Sequence, residues 1–135
     1  MMQPASTANA GEFLKMKLFG KIEKGWGHEI IFSSTDQYCG KYLVFAKAGD
    51  KFSMHYHLVK DECWNVNQGR FLLRYIDTKT ATVQEKILNT SDNWHNPPGL
   101  PHQLEALEDN SIIVEVSTPD SVEDNFRIFP GDSQR

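Results

Sequence analysis

His55, His57 and Glu62 stand between two turn glycines, Gly49 and Gly69, at a spacing that suits a metal ion. Successive side chains alternate along a β-strand, so His55 and His57 share one face with Cα atoms roughly 6.6 Å apart, and two neutral imidazoles can converge on one ion. Glu62 follows His57 after four intervening residues, enough for a tight connection, and can bring a hard oxygen donor from the next strand. The turn Asn96-Pro97-Pro98-Gly99-Leu100-Pro101 delivers a further imidazole, His102, to the start of the alternating stretch His102–Ala106. The expectation is one divalent transition metal per chain held by His55, His57, Glu62 and His102. Iron, manganese, nickel, cobalt and zinc all suit three imidazoles and a carboxylate, and the intrinsic affinity order does not choose among them. A coordination position left for water or substrate would mark the site as catalytic.

Other residues are candidates for contacting a substrate. Trp64 lies two residues after Glu62 and points inward beside the ion, as core or as a pocket wall; Tyr42, Phe71 and Tyr75 are similar. Lys60 sits between His57 and Glu62, where a lysine is ordinarily a solvated loop residue and where a cation at the mouth would attract an anionic substrate. His95 precedes His102 across the proline-rich turn and could shuttle a proton at the rim. The substrate-binding set is therefore Trp64, Tyr42, Lys60 and His95, and no general base is named by the sequence. His28 remains a candidate base, Glu105 is disfavoured because alternation turns it away from His102, and Arg74 and Arg127 would bind phosphate only if they faced the cavity.

Short β-like runs must position these groups. They cover Phe13–Phe19, His28–Ser33, Lys41–Ala46, Ser53–His57, Glu62–Asn67, Phe71–Asp77, Thr82–Leu88, His102–Ala106 and Ser111–Ser117, separated by Gly, Pro, Asn and Asp turns. No stretch between Gly20 and Thr118 keeps a helical period, so an all-β jelly-roll barrel follows. The division expected is a flexible tail over residues 1–11, a barrel over 12–118 and a C-terminal arm over 119–135. Phe52, Met54 and Tyr56 oppose the ligand face, and covering that apolar face calls for a homodimer.

The paired motifs resemble those of the cupins. Gly49, five residues, His55-x-His57, four residues, Glu62, six residues and Gly69 match the first motif, and Pro97-x-Gly99 with His102 matches the core of the second. Two positions depart from the pattern: Ser91 stands where the second motif usually opens with glycine, and Ala106 where it often closes with asparagine. Neither carries a ligand. The resemblance spans Gly40 to Val116 and implies a single-domain cupin jelly-roll β-barrel. The flanking segments Lys24–Glu29, Ser53–His57 with Glu62–Trp64, and Glu115–Pro119 resemble the cupin domain of type II mannose-6-phosphate isomerases. That likeness implies a metal-dependent enzyme acting on a small polar or sugar-phosphate substrate. An iron-dependent dioxygenase and a non-catalytic small-molecule or metal-binding cupin are the alternatives.

Composition narrows the partners. The chain has 135 residues, room for one domain, and a formal net charge of −4 with its lysines and arginines scattered, which argues against nucleic acid as a partner. No apolar run reaches membrane-spanning length and the first residues lack a secretory pattern, so a cytoplasmic protein is expected. Cys39 and Cys63 have no disulfide-framework spacing and read as structural thiols in a reducing compartment, with Cys63 turned away from the ligand face.

Overall fold

Alternation of apolar and polar residues becomes a succession of short strands in the computed structural model, which describes residues 20–135. The expected strand Phe13–Phe19 and the tail at residues 1–11 lie outside these. In chain order the strands are β1 (Lys21–Lys24), β2 (Gly27–Ser34), β3 (Cys39–Phe45), β4 (Met54–Tyr56), β5 (Glu62–Gln68), β6 (Phe71–Asp77), β7 (Thr82–Leu88), β8 (Asn93–Asn96), β9 (His102–Ala106), β10 (Ser111–Ser117) and β11 (Phe126–Phe129). No α-helix occurs among the described residues.

Two antiparallel sheets result, one ordered β1-β2-β3-β10-β5-β8 and the other β11-β4-β9-β6-β7. From β3 onward the chain crosses between sheets at nearly every connection, which is the winding of a jelly roll. Gly69 makes one such corner. Its φ of +78° is a left-handed conformation suited to glycine, and an added Cβ would overlap the buried Ser111 side chain.

One end of the barrel is filled by side chains. Phe45, Phe71, Leu73, Leu88, Leu104 and Ile113 have no exposed surface, Trp26 stacks on Phe45 at 4.6 Å, and Phe71 meets Phe45 edge-on at 5.0 Å. Burying each such side chain stabilises the fold by roughly 1.5–3 kcal/mol. The other end is hollow, and Phe52 separates the two, touching the rings of Trp26 and Phe45 on one side and of His55 and His102 on the other.

That placement corrects the expectation of a wet apolar face. Phe52 precedes β4 and points inward, Met54 is 1% exposed, and Tyr56 stacks on Phe126 at 5.2 Å. Phe52 and Met54 are thus buried within the single chain, and β11 pairs along the edge of β4, so the homodimer loses the packing argument made for it. The strands β1, β8 and β11 escaped the sequence reading because β1 and β11 are exposed throughout and β8 lies in a polar turn-like run, so none shows a buried alternating face.

Candidate metal centre

Two strands carry the imidazoles. His55 lies in β4 directly opposite His102, the first residue of β9, and His57 lies just beyond the end of β4. Their ligating nitrogens all fall within 4.8 Å of one another. Glu62 opens β5, which belongs to the facing sheet and not, as expected, to a strand beside β4. The carboxylate therefore reaches the histidines across the barrel. The connection turns this corner because the Asp124 carboxylate accepts the amides of Leu58 at 2.6 Å and Lys60 at 2.8 Å, while Gly99, at φ +87°, donates its amide to the His57 carbonyl at 2.7 Å.

Each imidazole is fixed through its Nδ1. Carbonyl oxygens only accept, so Nδ1 carries the proton toward Ser53 O at 2.9 Å for His55, Asp124 O at 2.6 Å for His57 and Leu100 O at 2.8 Å for His102. Neutral rings held in this way present Nε2 lone pairs for coordination. His102 Nε2 stands 2.8 Å and His57 Nε2 3.5 Å from Glu62 Oε1. Glu62 Oε1 and His102 Nε2 are both buried without a hydrogen-bond partner, and two acceptors at such a distance call for a cation between them. The donor set of three imidazole nitrogens and one carboxylate oxygen thus fits a divalent transition metal. Burial, reinforced by the neighbouring His102 and His57, pushes His55 down to about 3, so it is neutral at pH 7. Burial alone would raise Glu62, but the adjacent His102 and His57 rings outweigh it and hold the carboxyl well below its ordinary range.

Beside these donors lies a cavity of about 410 Å³, walled in part by Trp26, Phe52 and Trp64. A buried charge network crosses it. Lys60 Nζ stands 2.6 Å from Asp120, 3.2 Å from Glu115 and 3.6 Å from Glu62; Lys41 Nζ stands 2.7 Å from Asp120 and 3.2 Å from Glu29. Trp64 Nε1 donates to Glu115 Oε1 at 3.0 Å. Burial and the neighbouring Glu62 push the Glu115 carboxyl up to about 8 against the opposing pull of Lys60.

No known family profile matches the chain, and no curated protein matches it. Solved structures do. The capsular polysaccharide assembling protein CapF from Staphylococcus aureus superposes with a TM-score of 0.69 at 18% identity over 80% of this chain. Oxalate decarboxylase from Bacillus subtilis gives 0.68 at 22% over 80%, and KdgF from a Halomonas species gives 0.62 at 21% over 71%. The chain has the cupin fold. It spans 32% of CapF and 29% of oxalate decarboxylase, against 81% of KdgF. Within this fold the three-histidine cluster is a candidate metal site.

Of the expected substrate-binding set, the fold brings Trp64 and Lys60 to the cavity. Trp64 is a wall as expected, and Lys60, expected at the mouth of the pocket, does line the cavity but is 6% exposed and bound to three acids. Tyr42 and His95 do not line the cavity. Tyr42 packs on Phe32 at 5.1 Å on the outer face, and His95, paired across the ladder with the exposed Cys63, bonds Asp61 at 2.6 Å. Cys39 is buried, its thiol 3.9 Å from Asp120. His28 and Glu105 also lie off the cavity, and Arg74 is engaged by Glu85 and Glu105, but Arg127 reaches the lining. Lys24, Trp26 and Glu29 line the cavity, so the segment that both closes the sheet through β1 and β2 also supplies pocket residues.

Lys41, Glu115 and Asp120 went unrecognised. The first two were legible in principle. Lys41 alternates in phase with Leu43 and Phe45, and Glu115 with Ser111 and Ile113, which places each charge on the buried face of its strand.

Proposed function

We propose that this cupin is a metal-dependent enzyme that moves a proton on a small anionic, polyhydroxylated substrate, of which a sugar phosphate is the leading instance. The observation that carries this reading is the joint placement of the donor set and a carboxylate with a raised pKa in one cavity. Glu115 is within reach of Lys60 and Trp64, lies next to the metal donors without being one of them, and can hold or release a proton near neutral pH. This supplies the base candidate that the sequence left open. A metal bound by His55, His57, Glu62 and His102 would act as a Lewis acid on an oxygen of the substrate.

Charge supports an anionic substrate. The cavity is lined by Lys24, Lys41, Lys60 and Arg127 against Glu29, Glu62, Glu115 and Asp120, so these side chains balance formally and a divalent ion leaves a positive excess. Trp26, Phe52 and Trp64 form an apolar wall against which the carbon face of a small substrate can pack. The resemblance of Lys24–Glu29 and Glu115–Pro119 to mannose-6-phosphate isomerases selects phosphosugars as the first substrates to try.

Incubation of mannose 6-phosphate and fructose 6-phosphate with the metal-loaded protein in deuterated water tests the reading. Deuterium entering the carbon beside the carbonyl is expected with at least one of iron, manganese, nickel, cobalt or zinc, and it should be lost in Glu115→Gln. Absence of both exchange and conversion with all five metals would eliminate phosphosugar isomerisation.

A further inference from the structure

The Asp120 carboxylate lies in a fork of two buried ammonium groups, with Oδ2 2.7 Å from Lys41 Nζ and Oδ1 2.6 Å from Lys60 Nζ. The lysine side chains are 9% and 7% exposed, and each is anchored by a second acid, Glu29 for Lys41 and Glu115 for Lys60. Asp120 itself is 41% exposed and belongs to a strap leaving β10. The strap is tied down at Thr118, which exchanges hydrogen bonds with Asp61, and again at Asp124. Between these ties, residues 119–123 make no backbone hydrogen bond to either sheet among the described residues. The fork is thus internal and anchored on both arms, whereas its occupant is carried by an exposed segment.

We propose that Lys41 and Lys60 form an anion subsite for the carboxylate or phosphate group of the substrate, occupied by Asp120 until the substrate displaces it. Two ammonium groups set to receive the two oxygens of one carboxylate can receive two oxygens of another oxyanion equally well. Lys60 Nζ also lies 3.6 Å from Glu62, so the anion position and the metal donors are a single lysine apart. A ligand fills both when its anionic group is a few bonds from a hydroxyl or carbonyl oxygen. The subsite deepens the proposed function and rests on its reading of the cavity as a substrate pocket. Asp120 acts as an internal competitor, and its occupancy lowers the apparent affinity for any outside anion by the fraction of molecules in which the fork is closed.

Calorimetric titration of the full chain as purified, with its metal content measured, separates the possibilities. Malonate probes for a carboxylate and inorganic phosphate for a phosphate group, and whichever binds names the source. Asp120→Asn keeps the side-chain volume but removes the competing charge, so its affinity for at least one of the two anions is expected to rise about tenfold or more. Adding Lys41→Gln to Asp120→Asn should abolish the gain. If Asp120→Asn fails to fold, the wild-type chain decides: malonate or phosphate should raise its Tm, and Lys41→Gln should remove that increase. Affinity for both anions unchanged or weakened in Asp120→Asn, or anion binding indifferent to Lys41, overturns the subsite. Equal metal content in wild type and variant shows that such a failure belongs to the fork alone. Anion binding as expected without deuterium exchange would instead overturn the isomerase while leaving the subsite standing.

Discussion

Replacing Lys60 with Met would remove the cation shared by three carboxylates, and the consequences for them differ. Asp120 is 41% exposed and keeps Lys41, so it can rehydrate; Glu62 keeps its histidines. Glu115 is the worst placed, being 4% exposed and left with Trp64 Nε1 as its hydrogen-bond donor and Lys41 as a more distant cation. Removing one partner of a buried ion pair costs about 3–5 kcal/mol, which for a chain of this size lowers Tm by roughly 10–20 °C. That loss depends on Glu115 being ionised. Its carboxyl is already raised to about 8 with Lys60 present, and a folded-state value above the unfolded one contributes stability that is full below the unfolded value and lost as pH rises through the folded one. Lys60→Met should therefore be hurt most at pH 9 and least at pH 6. Urea unfolding with chelator present, at both pH values, reads the effect, and Lys60→Met/Glu115→Gln should regain most of the stability at pH 9. A loss under about 1 kcal/mol at pH 9, or one that Glu115→Gln does not relieve, would refute this account of the network.

Protein purified without chelator should carry one divalent transition metal per chain, and His57→Ala and His102→Ala should each lose it; elemental analysis showing full retention in both would remove the assignment. Metal-free protein should weaken as pH falls from 6.5 toward 3, because His55 is depressed to about 3, and a group depressed on folding contributes stability that is present above its unfolded value and lost as pH drops through the folded one. Thermal melts across that range of the wild type and His55→Gln check this, and identical pH profiles would contradict it. Gly69→Ala should destabilise by about 1–3 kcal/mol, since it combines a left-handed φ with overlap on Ser111, and an unchanged urea midpoint would show that the corner relaxes freely.

Most of the strands and the convergence of His55, His57 and His102 were legible in the sequence because both rest on local rules. A period of two puts His55 and His57 on one face, and a Pro/Gly turn ahead of an alternating run locates His102, whatever the rest of the chain does. The same rule, applied to Lys41 and Glu115, would have exposed two more interior charges. What neighbours what was beyond it. That Glu62 meets the histidines from the facing sheet, that Lys60 turns inward to three acids, and that Phe52 lies beneath the site all depend on how the sheets are wound, which alternation along one strand does not encode. The C-terminal segment shows the difference most sharply. Its sequence gives no local sign of what it packs against, yet Asp124 caps the turn between His57 and Glu62 and fixes the His57 tautomer, while Asp120 fills the lysine fork, contacts whose partners lie 60–79 residues earlier in the chain. Their geometry comes from closure of the barrel, which only the tertiary structure supplies.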